Sequence, residues 1–282
     1  MPELPEVETV RRKLQEILPG KIIQSIEVFH DKSFRGLEKD LLGQEIKEVT
    51  RKAKVIRIHL PDNKNLLTHL KMTGQLIYVD EETRAGGGHP TADWVKDLPS
   101  SHTRITYQFA DGSKLFFNDQ RIFGWMKLLT DEEVLADFAK YGPDVNEDEA
   151  TAEYLQEKFK NRRIPVKQAI MMNPIMAGLG NIYACDALNI AQLSPFRPAK
   201  SLSLEELERL MAASKQVIAE GLEYGGTTYD GKYVHVDGMS GSYQDIMRVY
   251  EKKGEECQQC GGEIVKEKIG GRGTYYCNQC QA

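Results

Sequence analysis

The sequence lacks the features of a membrane or exported protein. None of its apolar segments approaches the roughly 18 consecutive residues that a membrane-spanning helix requires. Glu3 and Glu6 place negative charge so close to the first residue that a secretory signal is not expected. Apolar residues make up 40% of the chain and charged residues 28%, which is ordinary for a globular protein in water. A cytoplasmic protein is therefore expected, and its 282 residues are enough for two domains.

An excess of positive charge is also missing, since the formal net charge is -5. This value at first argues against a polyanionic partner such as nucleic acid. The distribution of charge qualifies that argument, because residues 131–160 contain ten Asp and Glu against three Lys and Arg. The rest of the chain then has a net charge of +2, so a basic surface is compatible with the composition.

Cysteine is scarce, with five residues, but four of them form two closely spaced pairs near the end of the chain. These pairs are Cys257-x2-Cys260 and Cys277-x2-Cys280, with sixteen residues between them. Two such knuckles can place four thiolates tetrahedrally around one zinc ion. Two disulfides are the alternative, which a cytosolic location disfavours. The fifth, Cys185, has no partner at such spacing and is expected to pack as a small buried apolar residue.

The first half of the chain indicates a helix followed by many strands. Apolar residues recur at helical spacing from Pro5 until Pro19-Gly20 ends the pattern. From there to about residue 129, alternating apolar and polar residues predict strands, with a hairpin turn at Asp111-Gly112. The glycines of AGGGHP, residues 85–90, predict a flexible loop within this β-rich region.

The second half indicates helices. The acidic residues 131–150 are typical of a linker, after which Thr151 can cap a short helix. Ser203 and Glu206 form the capping-box pattern at the start of a longer helix. Residues 226–243 are polar and rich in glycine, which predicts a mobile loop before the cysteine pairs.

Five segments occur in an order that suggests one protein family. They are MPELPEVETVRR, HLKMTGQL, DQRIFG, AGLGNIYA and, at the end, GGRGTYYCNQCQ. With these segments the chain resembles the formamidopyrimidine-DNA glycosylase family, bacterial enzymes of base excision repair, from Pro2 to Gln281. The related endonuclease VIII branch usually has glycine where this chain has Leu4, which favours the formamidopyrimidine branch.

The resemblance implies an α+β protein with a characteristic domain order. Residues 1–130 would form a catalytic β-sandwich with flanking helices, followed by the linker at 131–150. Residues 151–243 would form a DNA-binding domain with a helix-two-turns-helix motif and a lesion-covering loop. Residues 244–282 would form a zinc-finger hairpin with one structural Zn2+ held by Cys257, Cys260, Cys277 and Cys280.

The resemblance also assigns roles to residues of the catalytic centre. Pro2 matches the family's N-terminal nucleophile, which acts only after Met1 is removed, because an amide nitrogen cannot attack a sugar. Glu3 matches the general acid/base, and Glu6 matches a second glutamate that supports the catalytic turn. Lys54 and Arg272 match the family's contacts to phosphates near the lesion, although the residue before the lysine is usually Gly and here is Ala53.

Further residues match the family's DNA contacts. Met72, Arg121 and Phe123 correspond to the residues that fill the space left by the extruded base. For Met72 and Phe123 the alternative is packing in the protein core, since Met72 shares strand parity with Leu66 and Leu70. His69 and Asn181 correspond to contacts with the DNA backbone.

The implied function is that of a bifunctional DNA glycosylase and abasic-site lyase acting on double-stranded DNA with oxidised purines. Its chemistry would pass through a proline iminium followed by β,δ-elimination. An oxidised-pyrimidine glycosylase of the endonuclease VIII type is one alternative. A non-catalytic damaged-DNA-binding protein is another, but it would not need the Pro2–Glu3 pair. A monomer without membrane partners, associated with the bacterial nucleoid through DNA, is expected.

Overall fold

The computed structural model describes residues 2–89, 93, 96–227 and 241–281. The chain divides into two compact units. The first extends to Ala139 and includes the described residues 224–227 and 241–242. The second contains residues 140–223 and the chain from Tyr243 onward. Within the described residues, no helix is both long and apolar enough to cross a membrane.

The first unit begins with helix α1, Leu4–Ile17, as the apolar spacing predicts. Glu3 is its N-cap and forms a capping box with Glu6, in which each residue satisfies a backbone N–H of the other that the helix leaves without a partner. Pro5 suits the first turn, where a missing N–H costs nothing. The start of the helix is therefore fixed by the residues that carry the predicted chemistry.

Two five-stranded sheets form the body of the first unit. One has the order β1-β8-β9-β6-β7 and the other the order β2-β10-β5-β4-β3. The strands are β1 Ile23–Val28, β2 Phe34–Arg35, β3 Glu48–Lys52, β4 Val55–His59, β5 Lys64–His69, β6 Gly74–Val79, β7 Arg84–Gly88, β8 Thr103–Phe109, β9 Lys114–Asp119 and β10 Trp125–Thr130. Apolar side chains of both sheets and of α1 share one buried cluster, which is the arrangement of a β-sandwich.

The prediction of a flexible loop at residues 85–90 is wrong, because Arg84–Gly88 is strand β7 and pairs with β6. Its glycines serve close packing instead of mobility. A Cβ on Gly87 would lie 2.2 Å from Val10 Cγ2 of α1, and one on Gly86 would lie 1.9 Å from the carbonyl oxygen of Leu76. The strand therefore needs glycine to pair with β6 and to pack against α1.

The acidic segment 131–150 is not wholly irregular, since its first part forms helix α2, Asp131–Phe138. Thr130 and Glu133 form a capping box at its start. The boundary between the two compact units lies at residues 139–140, inside this segment. The described ends of the loop predicted at 226–243 belong mostly to the first unit, and residues 228–240 lie outside the described residues.

The second unit contains helices and a hairpin. The helices are α3 Ala152–Phe159, α4 Val166–Ile170, α5 Asn181–Ile190 and α6 Leu204–Glu223. The predicted caps are confirmed, as Tyr154 N donates to Thr151 Oγ1 and Glu206 N donates to Ser203 Oγ. The hairpin consists of β11, Ile264–Ile269, and β12, Arg272–Cys277. Its turn residues Gly270 and Gly271 both have positive φ, which a two-residue turn of this type requires.

Candidate functional site

The catalytic turn predicted at the start of the chain is buried and internally braced. Pro2 and Glu3 are both buried, and Glu3 N donates to Glu6 Oε2 at 2.8 Å. The other carboxylate oxygen of Glu6 accepts hydrogen bonds from Thr227 N and Thr227 Oγ1, at 2.8 and 3.1 Å. Glu6 thus joins the N-terminal turn to the segment that leads into residues 228–240.

That junction depends on glycines at the base of the loop. Gly226 has φ +83°, and a Cβ there would lie 2.8 Å from Glu6 Cγ. A Cβ on Gly241 would lie 2.2 Å from the carbonyl oxygen of Gly226. Ser242 N donates to the carbonyl of Tyr224 at 2.8 Å, which closes the two ends of the loop against each other. The rest of the segment expected to form the lesion-covering loop, residues 228–240, lies outside the described residues.

Lys54 lies in the turn between β3 and β4 and is 5% exposed. The preceding Ala53 has φ +55°, in the left-handed region where a Cβ is unfavourable. A glycine would adopt this conformation without that steric cost. The Arg51 guanidinium donates to the Ala53 carbonyl at 2.6 Å and to Glu8 at 3.1 Å, which holds the turn in place.

His69 ends strand β5 and is 8% exposed. Its Nδ1 accepts the backbone N–H of Lys71 at 3.0 Å, which leaves the proton on Nε2 in the neutral ring. Burial, together with the nearby ammonium groups of Lys71, Lys54 and Lys127, lowers the pKa of His69 to about 3. The side chain is therefore a neutral hydrogen-bond donor at neutral pH.

The three residues predicted to fill the space of an extruded base lie on two connected turns. Met72 is 37% exposed and Phe123 is 53% exposed, so neither packs in the core. The strand parity of Met72 with Leu70 does not apply, because β5 ends at His69 and Lys71 has φ +51°. The Arg121 guanidinium lies 4.8 Å from the centre of the Phe123 ring.

Thr73 and Asp119 hold these two turns together, and neither was predicted from the sequence. The fully buried Asp119 accepts hydrogen bonds from Thr73 Oγ1, from Arg121 N at 3.2 Å and from Gly124 N at 2.6 Å. Arg121 N also donates to Thr73 Oγ1 at 3.0 Å. The acidic residue that opens DQRIFG, two positions before the arginine, was the available signal, since Asp commonly accepts backbone N–H groups in turns.

In the second unit, Asn181 and Lys167 connect helices to the hairpin. The helix α5 begins at Asn181 with Gly180 as N-cap, so the side chain of Asn181 does not cap it. Instead Asn181 Oδ1 accepts from Lys167 Nζ at 2.6 Å and Nδ2 donates to the Gly273 carbonyl at 2.9 Å. Lys167 Nζ also donates to Thr274 Oγ1 at 2.8 Å.

Lys167 is 1% exposed and was missed from the sequence. A single lysine within the apolar helix α4 was the available signal, because a buried ammonium needs several acceptors. It helps fix the hairpin that presents Arg272. Arg272 itself is exposed at the first position of β12, directly after the glycine turn. Asn181 thus hydrogen-bonds Gly273, the residue that directly follows Arg272 in the hairpin.

The four paired cysteines lie close together. All four sulfur atoms lie within 4.8 Å of one another, with Cys257 Sγ 3.8 Å from Cys280 Sγ and Cys260 Sγ 3.4 Å from Cys277 Sγ. A tetrahedral zinc with Zn–S bonds of about 2.3 Å requires S–S distances of roughly 3.8 Å, so this donor set fits the ion. Cys185 is buried against the same cluster, as predicted, and burial raises the pKa of its thiol to about 11.

Comparison with known families accounts for most of the chain. Residues 1–126 match the formamidopyrimidine-DNA glycosylase N-terminal domain, and residues 141–232 match the H2TH domain of the same enzymes. Residues 254–282 match a zinc finger found in these glycosylases and in isoleucyl-tRNA synthetases. Together with the sulfur geometry, this match shows that the protein contains one structural zinc site.

Individual relatives match the whole length of the chain. The formamidopyrimidine-DNA glycosylase of Pelotomaculum thermopropionicum is 36% identical, over 100% of this chain and 99% of the relative. A Lactococcus lactis Fpg variant in complex with a Fapy-dG-containing DNA superposes with a TM-score of 0.88, at 30% identity and 99% coverage of both chains. The wild-type Lactococcus lactis protein with an oxidised-pyrimidine-containing DNA gives 0.85 at the same identity and coverage. This chain therefore belongs to the formamidopyrimidine-DNA glycosylase family.

Proposed function

We propose that this protein is a bifunctional DNA glycosylase and abasic-site lyase of base excision repair, which removes oxidised purines such as 8-oxoguanine and formamidopyrimidines. The observation that carries the proposal is the buried turn in which Pro2 adjoins Glu3 and Glu6 braces both. A helix start alone does not require a proline at the second position of the chain. That proline becomes a secondary amine when Met1 is removed.

Pro2 acts as the nucleophile. Its nitrogen lone pair forms a bond to C1′ of the damaged nucleotide while the glycosidic bond breaks and the base leaves with a proton. Opening of the C1′–O4′ bond, with a proton delivered to O4′, then gives an iminium between Pro2 and the sugar. The iminium acidifies C2′, whose proton is lost as the 3′ phosphate leaves. A second elimination releases the 5′ phosphate.

Glu3 supplies and removes the protons of these steps. A carboxylic acid beside O4′ protonates the oxygen as the ring opens, and the resulting carboxylate can accept the C2′ proton. Its backbone is held by Glu6, which supports the proposed positioning role of that residue. Glu6→Gln would keep the size of the side chain but lose one side of this bridge, because both carboxylate oxygens accept backbone N–H groups and the amide has only one acceptor oxygen.

We propose that cationic side chains and backbone groups of this chain contact the phosphates of the DNA strand. Lys54 of the first unit and Arg272 of the second are proposed to contact phosphates near the lesion. His69 is proposed to donate a hydrogen bond from Nε2 to a backbone phosphate. Because the side chain of Asn181 already bonds to Lys167 and Gly273, a phosphate contact there either replaces one of these bonds or uses backbone N–H groups at the start of α5. We further propose that these contacts associate the protein with the bacterial nucleoid through DNA.

The exposed residues Met72, Arg121 and Phe123 stabilise the duplex after the base is extruded. Met72 and Phe123 insert apolar surface into the stack, and Arg121 hydrogen-bonds the base left without a partner. Their exposure in the free protein supports this role, since apolar side chains of this size are more often buried. We further propose that the protein acts as a monomer.

Oxidised pyrimidines are a second candidate substrate class. The Lactococcus lactis relative was crystallised with an oxidised-pyrimidine-containing DNA, so the family's site can bind such a lesion. Leu4, which separates this chain from the usual endonuclease VIII pattern, favours purines. The borohydride capture assay described next, carried out with oxidised-purine and oxidised-pyrimidine duplexes, ranks the two substrate classes.

The test is capture of the iminium with borohydride. Protein shown by mass spectrometry to lack Met1 is incubated with duplex DNA carrying 8-oxoguanine opposite cytosine, and borohydride is added. We expect a covalent protein–DNA adduct in the wild type and a strongly reduced yield in Pro2→Gly, because the primary amine of glycine is less nucleophilic than the proline nitrogen and lacks its fixed geometry.

Pro19→Gly is the matched control, since Pro19 follows the end of helix α1 and is exposed. It should form the adduct at the wild-type level. Tight binding of the damaged duplex with no adduct in the wild type would identify a damaged-DNA-binding protein and overturn the enzymatic proposal.

A further inference from the structure

A compact basic patch lies on the first unit, and it consists of His69, Lys71, Trp125 and Lys127. Trp125 is directly opposite His69 in the pairing of β10 with β5, and their rings meet edge to face at 5.7 Å. Lys127 lies two positions along β10 and therefore points to the same side of the sheet as Trp125. Its Nζ is 4.1 Å from the centre of the Trp125 ring.

The tryptophan ring fixes the position of the Lys127 ammonium. A lysine has four rotatable bonds and is usually mobile in solvent, but a cation over an aromatic face is attracted to the ring. Both side chains are half-buried, which restricts them further. The ammonium is thus preorganised beside His69 and not free to sample the surrounding water, which lowers the entropic cost of binding an anion there.

The patch is not neutralised by acidic side chains within the described part of the chain. Neither Lys71 nor Lys127 forms an ion pair there, in contrast to Lys47 with Glu45 and Lys21 with Asp111. Burial and the nearby ammonium of Lys127 lower the pKa of Lys71, as two like charges held close together do. The exposed Arg35 adds a further charge, since it pairs with Lys127 in the register of β2 and β10.

The chemistry of the patch fits a backbone phosphate. Like charges held close together without a partner are unfavourable, and an anion removes that cost. A neutral Nε2 donor next to a fixed ammonium offers one hydrogen bond and one ion pair, which a phosphate with several acceptor oxygens can accept together. An isolated anion would be held weakly at such a half-exposed place, whereas a polyanion brings successive phosphates to the whole patch.

We propose that Lys127, held over Trp125, contacts a DNA backbone phosphate next to the one bound by His69. The inference rests on the duplex-DNA binding proposed above and extends it by one ionic contact. The sequence motifs of the family did not include Lys127 or Trp125. The contact contributes to affinity for any sequence, because phosphates carry no information about the base.

The experiment measures how the affinity for a lesion-containing duplex depends on salt, for the wild type and for Lys127→Gln. Each phosphate contact adds about 0.9 to the slope of log K against log salt, so the slope of Lys127→Gln should be smaller by about that amount. Equivalently, its loss of affinity relative to the wild type should shrink by roughly 3.5-fold between about 50 and about 200 mM salt. Lys127→Glu should bind more weakly still, and Lys127→Arg should keep the wild-type slope.

Lys47→Gln is the matched control, because it removes the same charge from an exposed lysine that is already paired with Glu45. Its slope should equal that of the wild type. A Lys127→Gln slope equal to the wild type, with the wild type binding the duplex, overturns this inference and leaves the proposed function intact. Failure of the wild type itself to bind the damaged duplex overturns both.

Discussion

At the scale of single residues, Ala53 adopts a backbone conformation that is costly for alanine. The residue adopts φ +55° directly before Lys54. Such a conformation costs an alanine on the order of 1 kcal/mol relative to glycine. The strain is compensated locally by the Arg51 hydrogen bond to the Ala53 carbonyl. The turn therefore survives a substitution that would otherwise loosen the position of Lys54.

Ala53→Gly should accordingly stabilise the protein. We expect the free energy of unfolding to rise by up to about 1 kcal/mol, because relief of strain exceeds the extra entropy of the unfolded glycine. Urea denaturation measures the change. Ala212→Gly, at an exposed position inside α6, is the control and should lower stability by about 0.5–1 kcal/mol. A loss of stability in both variants would show that Ala53 is not strained.

His69 makes the stability of the protein sensitive to acid. Its folded-state pKa is lowered from 6.5 to about 3, so the unfolded chain takes up a proton that the folded chain refuses. The contribution of the neutral ring to the free energy of unfolding is complete above pH 6.5 and is lost as the pH falls towards 3. At pH 5 the loss is about 2 kcal/mol.

The measurement compares urea unfolding of the wild type and His69→Gln at pH 7 and pH 5. The variant lacks the titrating ring. Between pH 7 and pH 5 its free energy of unfolding should therefore fall by about 2 kcal/mol less than that of the wild type. Equal pH dependence in the two proteins would mean that folding does not lower the pKa of His69.

Residue types that recur at fixed spacing were predictable from the sequence, whereas partners distant along the chain were not. Met72 and Phe123 were placed as wedge candidates by their motifs, but the core alternative for Met72 is excluded by its exposure and by the positive φ of Lys71, which the sequence does not show. Lys167 bonds to groups 14 to 107 positions away. Nothing in its local sequence indicates those acceptors.

At the scale of secondary-structure elements, local signals succeeded where one segment determines its own conformation. The helix starts at Thr151 and Ser203 were predicted, because a cap and its N–H partner lie within three residues of each other. Strand β7 was missed for the opposite reason. Its glycines are required by Val10 and Leu76, which are remote in the chain, so the run resembles a loop when read alone.

The segment 131–150 also shows the limit of predicting an element from its own sequence. Its acidic composition suggested a linker, but Thr130 and Glu133 close a capping box and α2 packs beside β5 and β10. A high density of acidic residues is compatible with a helix when they cluster in the first turn, near its positive end. Charge composition alone therefore does not distinguish a linker from a short surface helix.

At the scale of the whole molecule, a net charge of -5 coexists with a local excess of cations. The acidic residues concentrate in 131–160, while Lys71, Lys127 and Arg35 lie together on the first unit. Association with DNA depends on the local field and not on the sum. The acidic total should nevertheless lower the affinity for DNA relative to a basic protein with the same phosphate contacts, because the net negative field repels the phosphates.

Removal of zinc should disrupt the hairpin of the second unit and leave the first unit folded. We expect about one zinc per chain, and Cys277→Ser should lose the metal and DNA binding together, because the hairpin that presents Arg272 depends on the ion. The first unit has its own apolar core and should keep its β-sheet signal in circular dichroism. Metal analysis and a duplex-binding titration provide the readouts.

Cys185→Ala is the control for this prediction. Cys185 packs against the cluster but is not one of its four ligands, so the variant should retain zinc and DNA binding. Full DNA affinity in protein freed of zinc would remove the role assigned to the hairpin.

The contacts that hold the residues on either side of 228–240 have a consequence for the evolution of substrate range. Tyr224 is tied to Ser242, and Thr227 is tied to Glu6, so described residues on both sides of 228–240 are held by contacts within the first unit. We expect that residues 228–240 can be replaced by the matching segment of a relative while these flanking contacts stay constant. Grafting this segment from a relative with another lesion preference should transfer selectivity without disturbing the catalytic turn. Recognition and chemistry would thus be inherited separately within one chain.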